Sequence, residues 1–140
     1  MTTFQNDYSY GIDKENSILA TLNNFFKRDI SKSLEKFSNY DFSDTKYKYE
    51  LKSRRNKYNA YPTTLIPKLK CKANTILLFN FTDGLYYIKY NTEKFEKFDK
   101  KYFKVDRDDK IDVNKEYYYV PINQLKLITK YHDEEIELDF

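Results

Sequence analysis

Residues 75–81 read T-I-L-L-F-N-F, the most apolar run in the chain. It is too short for a membrane span and too rich in strand formers for a helix, so it is expected to be a central β-strand buried on both faces. Asp83-Gly84 follows it as a hairpin turn into a second strand over 85–90. A strand of this kind needs a sheet around it and covering layers. The chain is therefore expected to fold as α/β, a mixed sheet flanked by helices, with residues 1–140 forming one domain.

The elements before this run fit the same frame. Residues 1–11 read as an irregular lead-in; Asp13 is a candidate helix cap, and Ile18, Leu19, Leu22, Phe25 and Phe26 recur at helical spacing through Arg28. Short strands are expected over 34–37, 40–42 and 47–53. The polar pairs and tetrads between them are turn chemistry, so the three form an antiparallel meander. Residues 56–61 form a polar loop, and Pro62-Thr63-Thr64 reads as the entry to a short basic helix running to about residue 72. After the hairpin, Phe95, Phe98 and Tyr102 share a candidate helical face. Strands are expected over 103–105 and 116–122, and a last turn or two of helix over 123–128.

Composition removes several functional classes. The single cysteine, Cys71, cannot close an intrachain disulfide or a thiolate cluster, which favours a reducing, intracellular setting. There is no charged-then-apolar leader and no long apolar run, so neither secretion nor a membrane span is expected. His132, the only histidine, lies among acids, which argues against histidine-based catalysis and His-ligated zinc. Gly11 and Gly84 stand alone, so a glycine-rich phosphate loop is excluded. The net charge is only +3, but it is unevenly spread. From residue 44 to 72, Lys46, Lys48, Lys52, Arg54, Arg55, Lys57, Lys68, Lys70 and Lys72 face only Asp44 and Glu50, while residues 132–140 are strongly acidic. Such an imbalance suits one face for a polyanion, although a solvated lysine-rich surface reads the same way.

Chemistry concentrates in residues 40–55, Y-D-F-S-D-T-K-Y-K-Y-E-L-K-S-R-R. Period-two alternation puts Glu50 and Lys52 on one face of a strand and Tyr47, Tyr49 and Leu51 on the other. With Asp41 on the neighbouring strand, two carboxylates and an ammonium converge, a set able to hold a hard divalent cation beside a phosphate. Asp44, nearer in sequence to Glu50, competes with Asp41 for the first acid. Glu15 falls on the apolar stripe of the first helix, either to suit the helix dipole or to point into the same site. Tyr117-Tyr118-Tyr119 is expected to place two rings in the core and one at the surface, with base stacking as the alternative.

The order of helix with Glu15, meander with Asp41 and then Glu50-Leu51-Lys52, basic helix and buried strand resembles the PD-(D/E)XK nuclease superfamily. This restriction-endonuclease-like fold includes Holliday-junction resolvases and small phage and viral nucleases. The resemblance covers roughly residues 13–90, with Tyr40 where the family has proline before the first acid. It implies a Mg²⁺- or Mn²⁺-dependent endonuclease acting on DNA. Asp41, Glu50 and the Leu51 carbonyl would ligate the metal, Lys52 would orient or deprotonate the attacking water, and Glu15 would be an additional acid. Arg54, Arg55, Tyr61, Thr63, Lys68 and Lys70 would grip the flanking phosphates. It is compatible with a homodimer and with the cytoplasm or nucleus of a host cell if the protein is viral. A non-catalytic nucleic-acid-binding domain of the same fold and a tyrosine-based interaction module are the alternatives.

Overall fold

The structure is a computed structural model; it describes residues 3–33, 40–107 and 110–132, and the side chains of residues 15–33, 40–102 and 115–132. Helix α1 spans Thr3–Phe26. The segment expected to be irregular is thus helical from Thr3, and Asp13 lies within the helix rather than at its cap. The helix ends where Lys27 takes a left-handed φ of 57°, a common way of closing an α-helix. One turn earlier, Asn23 ties this end to the chain that follows. Its Oδ1 accepts from Ile30 N–H at 2.6 Å and its Nδ2 donates to Ile30 O at 2.9 Å.

Three short strands follow: β1 (Ser31–Lys32), β2 (Phe42–Ser43) and β3 (Lys48–Ser53). Both pairings are antiparallel, and that of β2 with β3 is the one the alternation and the turn predict. The strand expected over 34–37 lies outside the described residues. Next comes β4 (Thr63–Pro67), with a single 3₁₀ turn over Lys68–Lys70. This corrects the expected basic helix. Thr63, Thr64 and Ile66 are β-branched and alternate in burial, and Pro67 stands where a helix interior would reject it.

Strand β5 (Thr75–Phe81) is buried at all seven positions and runs into β6 (Gly84–Lys89). The register pairs Phe81 with Gly84, so the two turn residues are Thr82 and Asp83, and glycine opens the strand rather than the turn. Its role is space. A Cβ at Gly84 would come within 3.0 Å of Thr129 O and 3.1 Å of the Tyr86 ring. Helix α2 (Thr92–Glu96) is capped by Asn91, whose Oδ1 accepts from Lys94 N–H at 2.9 Å. The last strands are β7 (Lys100–Arg107), β8 (Lys110–Pro121) and β9 (Lys126–Lys130). Tyr102, expected on the face of Phe95 and Phe98, is instead exposed on β7. The expected last helix is one 3₁₀ turn over Ile122–Gln124, after which the chain becomes β9.

The strands form a six-stranded sheet in the order β1-β2-β3-β5-β6-β9 and a three-stranded sheet in the order β4-β8-β7. Only β3 and β5 pair in parallel; the other described pairings are antiparallel. Alternation divides the six-stranded sheet cleanly. Phe42, Tyr49, Ile76, Leu78 and Leu85 pack beneath Ile18 and Leu22 of α1. Leu77, Phe79, Phe81, Tyr86 and Ile88 pack on the other side against Ile66, Tyr118 and Val120 of the small sheet and Phe95 of α2. The architecture is mixed α/β with a strand-rich body and two helices among the described residues. Of the expected flanking helices, α1 covers one face, and on the other α2 contributes Phe95 beside a small sheet that supplies most of the cover. No helix among the described residues is long and apolar enough to cross a membrane.

Candidate functional site

Strand β3 decides which acids meet. Tyr49 pairs with Phe42 and faces α1; Glu50 and Lys52, paired with Leu77 and Phe79, face the other way. Asp41, the residue before Phe42, joins them on that side. Its N–H donates to Tyr49 O at 3.1 Å, and its Oδ2 accepts from Leu51 N–H at 2.8 Å. The carboxylate thus takes the place a partner strand's carbonyl would hold at this edge of β3.

Glu50 is the unusual member, a carboxylate only 5% exposed. Lys52 Nζ lies 3.2 Å from its Oε1, and Lys70 Nζ lies 3.6 Å from its Oε2. Burial raises its pKa, the Asp41 charge adds to that, and the two lysines pull against both. Each Glu50 oxygen thus faces an ammonium, and a divalent ion at Glu50 would have to displace one of them. Among the described residues, no group of three or more His, Cys, Asp or Glu side chains could hold a metal. The two carboxylates are instead held by the protein itself, Asp41 by the Leu51 N–H and Glu50 by Lys52 and Lys70.

The other candidates separate around this pair. Asp44 faces the opposite side of the sheet. It accepts from Lys46 N–H, Tyr47 N–H and the Tyr49 hydroxyl at 2.6–2.7 Å, and Arg28 Nε lies 2.5 Å away. Burial works to raise its pKa, but the Arg28 guanidinium and these N–H and O–H donors outweigh that and hold it well below the usual carboxylate range. Its carboxylate is committed to holding the β2–β3 turn. Glu15 pairs at 3.6 Å with Lys32, whose register partner is Phe42, so it stands on the α1 side. The sheet separates it from Glu50, which corrects its expected place in the site.

Of the basic residues expected to grip phosphates, Arg54 is turned inward. Its Nε donates to Thr64 Oγ1 at 3.0 Å and its Nη2 to Leu65 O, fastening β4 to the end of β3. Lys70 is drawn onto Glu50, and Lys68 pairs with Glu116 at 3.5 Å. Arg55 stays exposed. Cys71 is buried, with its thiol pushed up to about 12 by that burial, so it is a core side chain without nucleophilic character.

A cleft of about 790 Å³ begins at Lys52. Arg54, Asn56, Tyr61, Thr63, Leu65, Tyr117 and Tyr119 are among its lining residues. Thr63, Leu65 and Pro67 of β4 lie on the same face as Tyr117 and Tyr119 of β8, because register pairs Leu65 with Tyr119 and Pro67 with Tyr117. Tyr118 and Val120 point into the core between them. The tyrosine run therefore sends one ring inward and two to the cleft, the reverse of the expected split. Its signal was readable in the alternation of Tyr118 and Val120 as the buried pair.

Comparison with protein-family models, curated proteins and solved structures found no match to this chain.

Proposed function

We propose that this protein is a metal-dependent endonuclease of the PD-(D/E)XK type, hydrolysing DNA phosphodiester bonds at Asp41, Glu50 and Lys52. The observation that carries the reading is the convergence, on one face of adjoining strands, of a buried glutamate, an acid whose charge it feels and a lysine 3.2 Å from it. The strand order adds support. An antiparallel run carrying Asp41 and Glu50-Leu51-Lys52 is followed by a buried strand, as the resemblance implies, and that strand pairs in parallel with β3. The connection between them departs from the pattern, since β4 and a 3₁₀ turn replace the basic helix.

Bound Mg²⁺ or Mn²⁺ would supply charge stabilisation of the phosphate and a nucleophile at neutral pH. Asp41 and Glu50 hold the site's negative charge at one edge of β3. Lys52, 3.2 Å from Glu50, would orient the attacking water and steady the charge that develops on the phosphate. Lys70 pulls against the burial that raises the Glu50 pKa.

One observation favours a second reading. With both Glu50 oxygens facing lysines, the cluster is also a satisfied ionic group in a domain that binds nucleic acid without cutting it. Incubating the wild-type protein, Glu50→Gln and Lys52→Ala with linear and branched DNA in Mg²⁺ or Mn²⁺ separates the two. The expected result is cleavage by wild type and a loss of about 10²-fold or more in each variant. Cleavage that survives both substitutions would remove the site; binding without cleavage by the wild type would favour the second reading.

A further inference from the structure

The cleft beside Lys52 is not accounted for by phosphodiester hydrolysis alone. It brings together three tyrosines from separate segments, Tyr61 from the loop before β4 and Tyr117 and Tyr119 from β8. Tyr61 is 64% exposed, a large ring left at the rim. The only charged side chains among the lining residues are Lys52 and Arg54, and no acid lines it. Arg54 is bound to Thr64 and Leu65, which leaves rings beside Lys52, itself paired with Glu50 behind the lining, and rings beside an ammonium suit an aromatic ligand that carries negative charge. At about 790 Å³ the space falls within the roughly 300–1,000 Å³ of small-molecule sites, the scale of nucleotides and not of a duplex. A tyrosine ring meets the face of a base only when that base is out of the helical stack.

We infer that the Tyr61–Tyr117–Tyr119 cleft takes unpaired nucleotides adjoining the phosphodiester at Lys52, so that the substrate is a single strand or a frayed end and not intact duplex. The inference rests on the proposed nuclease site for the position of that phosphodiester. Binding in the cleft does not depend on cleavage. Bases stack on the tyrosines while Lys52 meets the backbone. Arg54 holds β4 in place as one wall of the cleft.

The test measures binding by fluorescence anisotropy in EDTA, where no cut can follow. A labelled single strand, the matching duplex and a single strand with abasic sites are compared on wild type, Tyr61→Ala, Tyr119→Ala and Tyr119→Phe. The expected result is tighter binding of the single strand than of the duplex by tenfold or more. Tyr119→Ala should weaken single-strand binding by about 5- to 150-fold, the stacking of one base, and Tyr119→Phe should retain it. Equal affinity for strand and duplex, or an abasic strand bound as tightly as the intact one, would overturn the inference and leave a protein or other ligand as the occupant of the cleft. If Tyr119→Ala does not fold, Tyr61→Ala at the rim and the abasic strand on wild type carry the decision. Single-strand binding that depends on the rings, in a protein that cuts nothing, would sink the nuclease reading and leave this one standing. Cleavage of intact duplex with no dependence on the rings would do the reverse.

Discussion

Glu50 sits at the centre of the candidate site at a cost to the fold. Its pKa is raised, first by burial and then by Asp41, so the sign of its effect on stability is set. Below the usual carboxylate range both folded and unfolded forms are protonated and Glu50 contributes nothing. As pH rises the unfolded chain ionises first, and stability falls until the folded carboxyl has ionised too. Glu50→Gln is therefore expected to melt at least as high as wild type at neutral pH, with the difference shrinking as pH falls into the carboxylate range. Thermal melts across that window check it. A Glu50→Gln protein markedly less stable than wild type at neutral pH would mean that the lysine pairs outweigh burial and that the cluster serves the fold. Asp44 works in the opposite sense, its depressed pKa adding stability that is lost on acidification. The two acids divide because Glu50 lies on the β3 face toward Leu77, whereas Asp44, in the turn between β2 and β3, is held by Arg28 and the Tyr49 hydroxyl on the α1 side.

Between elements, Arg54 is the joint that shapes the cleft. It was expected to grip phosphate, since alternation continues the face of Glu50 and Lys52 through it. The alternation was right, but that face is covered at this point by β4, and the guanidinium spends its donors on Thr64 and Leu65. Arg54→Met, which keeps the stem and removes the donors, is expected to destabilise the protein by about 1.5–3 kcal/mol, read by urea denaturation. It should also speed amide exchange of β4 ahead of β5. Unchanged exchange in β4 would show that pairing with β8 holds that strand without help. The mistaken helix over Thr63 to Lys72 has a related cause. Its pattern of Leu65, Ile66 and Leu69 suits either structure, and only the partner strand β8, more than forty residues later, supplies the hydrogen bonds that make it β.

For the molecule as a whole, a divalent ion that binds only the folded protein must raise its stability by mass action. At a hundredfold excess over the dissociation constant the gain is about 2.7 kcal/mol, a rise of several degrees in melting temperature. Mn²⁺ is expected to give that rise in wild type, EDTA to reverse it, and Asp41→Asn and Glu50→Gln to abolish it. An equal rise in both variants would put the ion elsewhere. The site and the cleft share an edge. Lys52 belongs to both, since it pairs with Glu50 and lines the cleft beside β4 and β8.

What the chain's own pattern determined was local and short-range. The buried β5, the hairpin into β6, the antiparallel pair of β2 with β3, and the shared face of Glu50 and Lys52 all follow from residue periodicity and turn chemistry, which act over a few positions. What only the tertiary structure decided was what lies across from what. It set Glu15 behind the sheet and Asp41 on the near side, closed Asp44 with Arg28, drew Lys70 onto Glu50, turned Arg54 into a joint and opened two tyrosines to a cleft. Those outcomes depend on pairings between distant segments and on which face each layer leaves uncovered, and neither is written in the spacing of neighbouring residues.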